Sequence, residues 1–191
     1  MNVLARPLVL SPADREAALT QVSGLVRSIP DFPAPGILFR DITPVLHDAA
    51  ALDAAVRLHI DRIADLAGQI DRIVGIESRG FLFGMAVAHA LGCGFVPVRK
   101  PGKLPAATVH QTYALEYGQD RLHMHADAVS PGDRVLVIDD LLATGGTAQA
   151  AAQLVEGLGG RVVACLFLIE LAALGGRARL GDRRVESVIV Y

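Results

Sequence analysis

Apolar positions in this chain follow one period at first and another later. Leu19, Val22, Leu25 and Val26 recur at helical spacing between Ser11 and Ser28. Ser11-Pro12 supplies an N-cap and a first-turn proline for that helix, with Asp14 and Glu16 close behind. A second helix is expected from about Ala50 to Gly68, with Leu52, Val56, Ile60, Ile63 and Leu66 on one face. Between the two, Pro30, Pro33 and Pro35-Gly36 impose a rigid extended segment, because proline fixes its φ and donates no hydrogen bond.

Beyond residue 70 the apolar residues cluster in short continuous runs. Arg72–Ile76, Phe95–Arg99, Val135–Ile138, Arg161–Ile169 and Val185–Val190 predict strands. Phe81–Leu91 and Ala148–Leu158 predict helices, the latter ended by Gly159-Gly160. Strands apolar at successive positions are buried on both faces. Their alternation with helices predicts an α/β fold, a parallel sheet covered on both sides. In such sheets a ligand sits beyond the carboxyl ends of the strands. Lys100 to Arg121 fits neither period and holds Pro101-Gly102 and Pro105. It reads as a lid or binding loop, or else as a peripheral hairpin without a role. With no repeat or linker visible, residues 1–191 read as a single domain.

Composition narrows the function. The 191 residues are 52% hydrophobic and 20% charged, which suits a packed globule rather than a disordered chain. A net charge of −2 gives no global field toward nucleic acid or membrane, so neither is an expected partner. Cys93 and Cys165 lie among apolar residues and read as reduced, buried thiols. The first ten residues lack the charge and apolar run of a signal peptide, and no apolar stretch approaches the roughly 20 residues of a membrane span. A cytoplasmic location is the expectation.

The densest chemistry lies in Val135 to Thr147. A buried strand leads to Asp139 and Asp140 at its end, and Thr144-Gly145-Gly146-Thr147 can then open a helix. Helix N-terminal amides bind phosphate. Carboxylates beside a phosphate cradle make sense only if the ligand also brings hydroxyls or a metal, and a ribose 5-phosphate brings hydroxyls. Gly75 to Gly80 has the glycine spacing of a nucleotide P-loop, but Phe81 stands where its lysine is required. What survives is a polar turn, Glu77-Ser78-Arg79, fit for a pyrophosphate. Arg99, Lys100 and Lys103 surround a Pro-Gly turn at the same sheet edge. Glu116 sits between Tyr113, Leu115 and Tyr117, where desolvation would raise its pKa and suit it to proton transfer. Phe39 could stack on a flat base. His123 and His125 face one way on a strand but lack a third metal ligand.

Several blocks together resemble the adenine phosphoribosyltransferases, members of the type I phosphoribosyltransferase family. They are Pro30 to Pro44, Gly75 to Phe81, Val98 to Pro105, Leu115 to Gly118 and the Asp139 to Thr147 run, and the likeness spans about Ile29 to Leu180. The resemblance implies a parallel sheet flanked by helices, a small N-terminal hood over residues 29–48, a helical extension over 1–28 and a mobile catalytic loop over 100–121. It implies a purine-salvage reaction: adenine and 5-phosphoribosyl 1-diphosphate (PRPP) give AMP and pyrophosphate, with Mg²⁺, in a homodimer. Carried over by residue, Asp139 and Asp140 hold the ribose, and Ala143, Thr144, Gly145, Gly146 and Thr147 hold the 5-phosphate. Glu77, Ser78, Arg79, Arg99, Lys100 and Lys103 surround pyrophosphate, Arg99 or Lys103 reaching across the dimer. Ile37, Leu38, Phe39 and Arg40 read adenine, which Phe39 and Leu142 sandwich. Glu116 is the catalytic carboxylate. The ion has no dedicated cage; PRPP oxygens hold it, with Asp139 or Asp140 reaching it through water.

Ala143 stands where many transferases of 6-oxopurines carry an acid, which leaves the proton to Glu116. Some xanthine transferases share that alanine, and a PRPP-sensing regulator could share the fold. The Phe39-Arg40-Asp41 and Arg99 to Pro105 blocks favour adenine, and Glu116 argues for catalysis. His123 departs from the acidic residue expected after the lid.

Overall fold

The structure, a computed structural model, describes residues 9–114 and 119–191. They form two compact units, one reaching to Ala64 and the other running from Asp65 to Tyr191.

The first unit begins with α1 (Pro12–Leu25), where Ser11 Oγ accepts the Asp14 N–H at 3.2 Å and Pro12 occupies the first turn. The helix stops short of the expected Ser28 because the chain extends into β1 (Arg27–Ile29). This strand pairs antiparallel with β2 (Phe39–Asp41), so the proline segment is the connection of a small hairpin. Next come α2 (Thr43–His47) and α3 (Ala49–Arg62); Asp48 Oδ1 caps α3 by accepting the Ala51 N–H at 2.8 Å. The helix expected to reach Gly68 ends at Arg62; Ile63 is its C-cap, and Leu66 falls in a 3₁₀ turn over Ala64–Leu66.

Two buried carboxylates tie this unit together. Asp61 accepts from Arg15 Nε at 2.6 Å and from the Leu10 N–H at 2.8 Å, joining α3 to the start of α1. Asp41 accepts the Thr43 N–H at 2.9 Å and Arg27 Nη2 at 2.6 Å. These bonds, led by that to the Thr43 amide, lower its pKa to about 2.

The second unit is the α/β sandwich that the apolar runs predict. Its strands and helices are β3 (Arg72–Ile76), α4 (Gly80–Leu91), β4 (Gly94–Val98), β5 (Thr108–Ala114), β6 (Gln119–His125), β7 (Arg134–Leu142), α5 (Gly146–Gly157), β8 (Arg161–Glu170), α6 (Gly176–Arg179) and β9 (Val185–Val190). Five strands form one parallel sheet in the order β4-β3-β7-β8-β9. On one face Val74, Val96, Val135, Val137 and Phe167 pack with Ala151, Leu154 and Val155 of α5. On the other, α4 lies close to β3, and a Cβ on Gly75 would stand 2.5 Å from the Phe95 ring. The segment from Lys100 is no structureless loop. β5 and β6 pair antiparallel, and Leu122 and Met124 of β6 are fully buried in the α5-side core. No helix among the described residues is long and apolar enough to cross a membrane.

Asp41 yields a stability prediction. Its folded pKa, about 2, lies below the ordinary 3.8, so its ionised form stabilises the fold above about pH 4, and that contribution is lost as pH falls toward 2. Thermal melts of the parent and D41N are expected to differ most at neutral pH and to converge across that interval. A gap that stays constant from pH 6 to pH 2 would contradict the role of the charge.

Candidate active site

The site forms where one strand outruns its neighbour. β3 pairs with β7 only as far as Gly75 opposite Ile138, whereas β7 continues to Leu142 alongside β8. Asp139 and Asp140 therefore lie within a strand, not past its end as the sequence suggested, and β3 no longer flanks them. The chain leaving β3 fills the space with Glu77-Ser78-Arg79 and then α4. The Glu77–Ser78 peptide is cis. Glycine is needed where α4 begins, because a Cβ on Gly80 would stand 2.7 Å from Asp139 Oδ1.

Asp140 is buried and Asp139 half-buried. Asp139 Oδ1 accepts the Asp140 N–H at 2.9 Å. Arg79 Nε approaches Asp140 Oδ2 at 2.7 Å, yet that buried oxygen has no aligned hydrogen bond among the described residues. Burial raises the pKa of both acids. The charge of Asp140 adds to the rise at Asp139, while Arg79 only partly offsets it at Asp140. The pair thus holds a proton above the ordinary carboxylate range.

After Leu142 the chain turns through Ala143, Thr144 and Gly145 into α5. Gly145 has φ +79°, and a Cβ there would lie 2.5 Å from the Gly176 carbonyl oxygen. A Cβ on Gly176 would lie 2.2 Å from the Ala143 carbonyl oxygen. Two backbones are pressed together, which fixes the turn. Among the described residues no side chain caps α5, so its first-turn amides are available to a ligand.

Two adjoining cavities result. A small one, about 80 Å³, is lined by Asp139, Leu141 and Leu142 and by the 143–148 turn. A larger one, about 390 Å³, is lined by Glu77, Ser78, Arg79, Lys100, Asp139, Asp140, Leu141 and Thr147. Asp139, Leu141 and Thr147 belong to both. The acid pair, the pyrophosphate turn and the phosphate turn named from sequence are thus assembled in one place.

Other expected residues fall differently. Arg99 is off the cleft wall: its Nη2 donates to Glu77 Oε1 at 3.2 Å and its Nη1 to the Lys103 carbonyl at 3.1 Å. Lys103 is exposed. Burial alone would raise the pKa of Glu77, but the Lys100 N–H at 2.9 Å and Arg99 outweigh it and hold it low. Lys100 does reach the cleft, with its ammonium bonded to Tyr113 and Asp120 of the hairpin. Leu142, assigned to the base, is only 1% exposed and belongs to the core; Leu141 is the leucine with exposed surface on the cavity walls. Glu116 lies outside the described residues. In the first unit Ile37 and Leu38 are about half exposed, and Phe39 meets Phe32 edge-on at 5.0 Å.

Sequence reasoning missed Gly176, Tyr113 and Asp120. Only the hairpin ladder, which sets Tyr113 opposite Asp120, shows what the last two do. Among the described residues no group of three or more His, Cys, Asp or Glu is placed to hold an ion. A cleft of about 620 Å³ at the opposite end of the strands holds Arg134, Arg161, Arg183 and Arg184. Three of these are already paired, with Asp71, Glu156 and Asp65 respectively for Arg134, Arg183 and Arg184.

Comparison with known proteins places this geometry in a family. Residues 43–190 match the phosphoribosyl transferase domain. The adenine phosphoribosyltransferase of Gloeobacter violaceus is 60% identical over 159 residues, 82% of this chain and 91% of that one. The crystal structure of adenine phosphoribosyltransferase from Thermoanaerobacter pseudethanolicus superposes with a TM-score of 0.86 at 51% identity, covering 91% of this chain and 99% of that one. That of the Saccharomyces cerevisiae enzyme, complexed with an imino-altritol bisphosphate and adenine, gives 0.87 at 38% identity over 91% and 99% of the two chains. The chain belongs to the phosphoribosyl transferase family and, within it, to the adenine phosphoribosyltransferases.

Proposed function

We propose that this enzyme joins adenine to the ribose 5-phosphate of PRPP, releasing pyrophosphate and forming AMP. The observation that carries the reading is the pair of adjoining cavities that meet at Asp139, Leu141 and Thr147. A phosphate fits the amides of the 143–147 turn, ribose hydroxyls fit the acid pair, and pyrophosphate fits Arg79, Lys100 and the 77–79 turn. The anomeric carbon then lies between the two anion sites. Its bond to the pyrophosphate oxygen breaks while a bond to an adenine ring nitrogen forms, and the base gives up one proton. Positioning and charge stabilisation supply most of the rate in such a displacement.

The acid pair also suits a divalent cation. Among the described residues, two adjacent carboxylates face one arginine, and Asp140 Oδ2 is buried without an aligned hydrogen bond. Mg²⁺ carried on PRPP, with Asp139 or Asp140 reaching it through water, would shield the charge of the departing pyrophosphate. Glu116 is assigned the proton of the base. Ile37 to Arg40 are assigned to adenine, with Leu141 replacing Leu142 as the apolar contact because it has the accessible face. Action as a homodimer, with Arg99 or Lys103 serving the partner's site, and residence in the cytoplasm carry over from the family likeness.

Offered adenine, guanine, hypoxanthine and xanthine with PRPP and Mg²⁺, the purified protein is expected to consume adenine by far the fastest. Preference for another base overturns the reading. Replacing both Asp139 and Asp140 with Asn is expected to weaken PRPP binding by about tenfold or more in calorimetric titration, as hydrogen-bonded charges are lost. An unchanged affinity would remove the ribose assignment. E116Q is expected to lower kcat by about 10²-fold with little change in the KM for PRPP. Full turnover in that variant would clear Glu116 of the proton step.

A further inference from the structure

Among the described residues, two cations line the larger cleft, Arg79 and Lys100, and each is already held by a carboxylate. Arg79 is held by Asp140, which belongs to the site itself. Lys100 is held from elsewhere. Its ammonium donates to Tyr113 Oη at 2.8 Å and to Asp120 Oδ2, on facing strands of the β5–β6 hairpin. Tyr113 Oη donates to the same Asp120 oxygen at 3.2 Å, and Tyr113 is 7% exposed. Asp120 is fixed further by the Arg121 N–H, which Oδ1 accepts at 2.7 Å. Lys100 thus sits between a hairpin carboxylate and a cleft that must take a polyanion.

An ammonium has three N–H donors, and the hairpin uses two. A pyrophosphate entering the cleft offers several charged oxygens to the same nitrogen. Charge-assisted bonds to them compete with the one to Asp120. The side chains of Lys100 and Asp120 are 37% and 29% exposed, so water can replace either partner and exchange needs no buried charge to be stranded.

On the reading of the cleft given above, we propose that Asp120, supported by Tyr113, is a positioning residue that competes with pyrophosphate for Lys100. A filled cleft then loosens the hairpin. By linkage, a seated hairpin weakens the hold on pyrophosphate, which favours product release. The carboxylate acts only through Lys100, so its effect must vanish when the lysine is removed.

The test is calorimetric titration of the full chain with inorganic pyrophosphate and excess Mg²⁺, for the parent, D120N, K100M and the double variant. D120N is expected to bind about fivefold more tightly than the parent, D120E to match the parent, and the double variant to match K100M. In the parent itself, which involves no folding risk, backbone amides of 108–114 and 119–125 are expected to exchange hydrogen faster with pyrophosphate bound. Equal or weaker binding by D120N, a gain that survives in the K100M background, or slower exchange in the hairpin overturns the competition while leaving the cleft assignment intact. Failure of the parent to bind pyrophosphate overturns both.

Discussion

Everything at this site depends on β7 being longer than β3. A parallel strand flanked on both sides has its backbone satisfied and its side chains buried, as Val135 to Ile138 are. Past Ile138 one neighbour is missing, and the next two side chains are acids. Two adjacent carboxylates at a half-open sheet edge are costly when ionised, since burial and mutual repulsion both disfavour charge. Arg79 answers only part of that. The remainder is met by a proton, a cation or hydroxyl donors. The unliganded site is therefore destabilised in the sense that a sugar carrying hydroxyls and a metal would relieve, and β7 commits the carboxylates to that place through its pairing with β8.

The same overhang explains how two anions can bind beside two acids. Positive potential comes from opposite sides: from α5 amides behind the Gly145 turn, and from Arg79 and Lys100 across the cleft. The acids lie between. A ligand with phosphate at one end, diphosphate at the other and hydroxyls in the middle matches that order of charge, whereas a simple nucleotide triphosphate does not. Gly176 and Gly145, with no room for a Cβ on either, keep the phosphate turn from drifting relative to the acids.

The parallel sheet was legible because a strand buried on both faces is written as an unbroken apolar run, and five such runs became the five strands in register. The end of β7 was not legible. Asp disfavours strands, so two of them read as a terminus, and only pairing with β8 carries the strand through. That Leu142 is buried while Leu141 keeps exposed surface was not legible for a related reason. Leu142 joins the core that holds Val135 and Val137, although counting by two from Val137 would bury Leu141. Pro101-Gly102 and Pro105 made a lid or binding loop the first reading of the stretch that holds β5 and β6, with a peripheral hairpin as the alternative, and the hairpin is what forms. Yet Thr108, Val109, Thr112 and Tyr113 carry strand preference, and Leu122 and Met124 alternate as a half-buried strand should. At the site, sequence marked which residue types can meet a phosphate. Pairing across the sheet was needed to show that Arg99 turns to Glu77 while Lys100 reaches the cleft.

The hairpin is tied to the cleft through Lys100, and the proposed competition gives that tie a physical reason. On the proposed reading, a cleft that releases pyrophosphate cannot keep all its cations free, because a polyanion against unopposed lysine and arginine would bind too well to turn over. Neutralising them with neighbours inside the cleft would block the ligand. Placing the counter-charge on a separate strand pair would solve this, since the carboxylate could yield while the ligand is present and return when it leaves. Asp120 opposite Tyr113 on a ladder whose buried face is Leu122 and Met124 has the required anchorage, and its contact with Lys100, beside that of Tyr113, ties cleft charge to the hairpin.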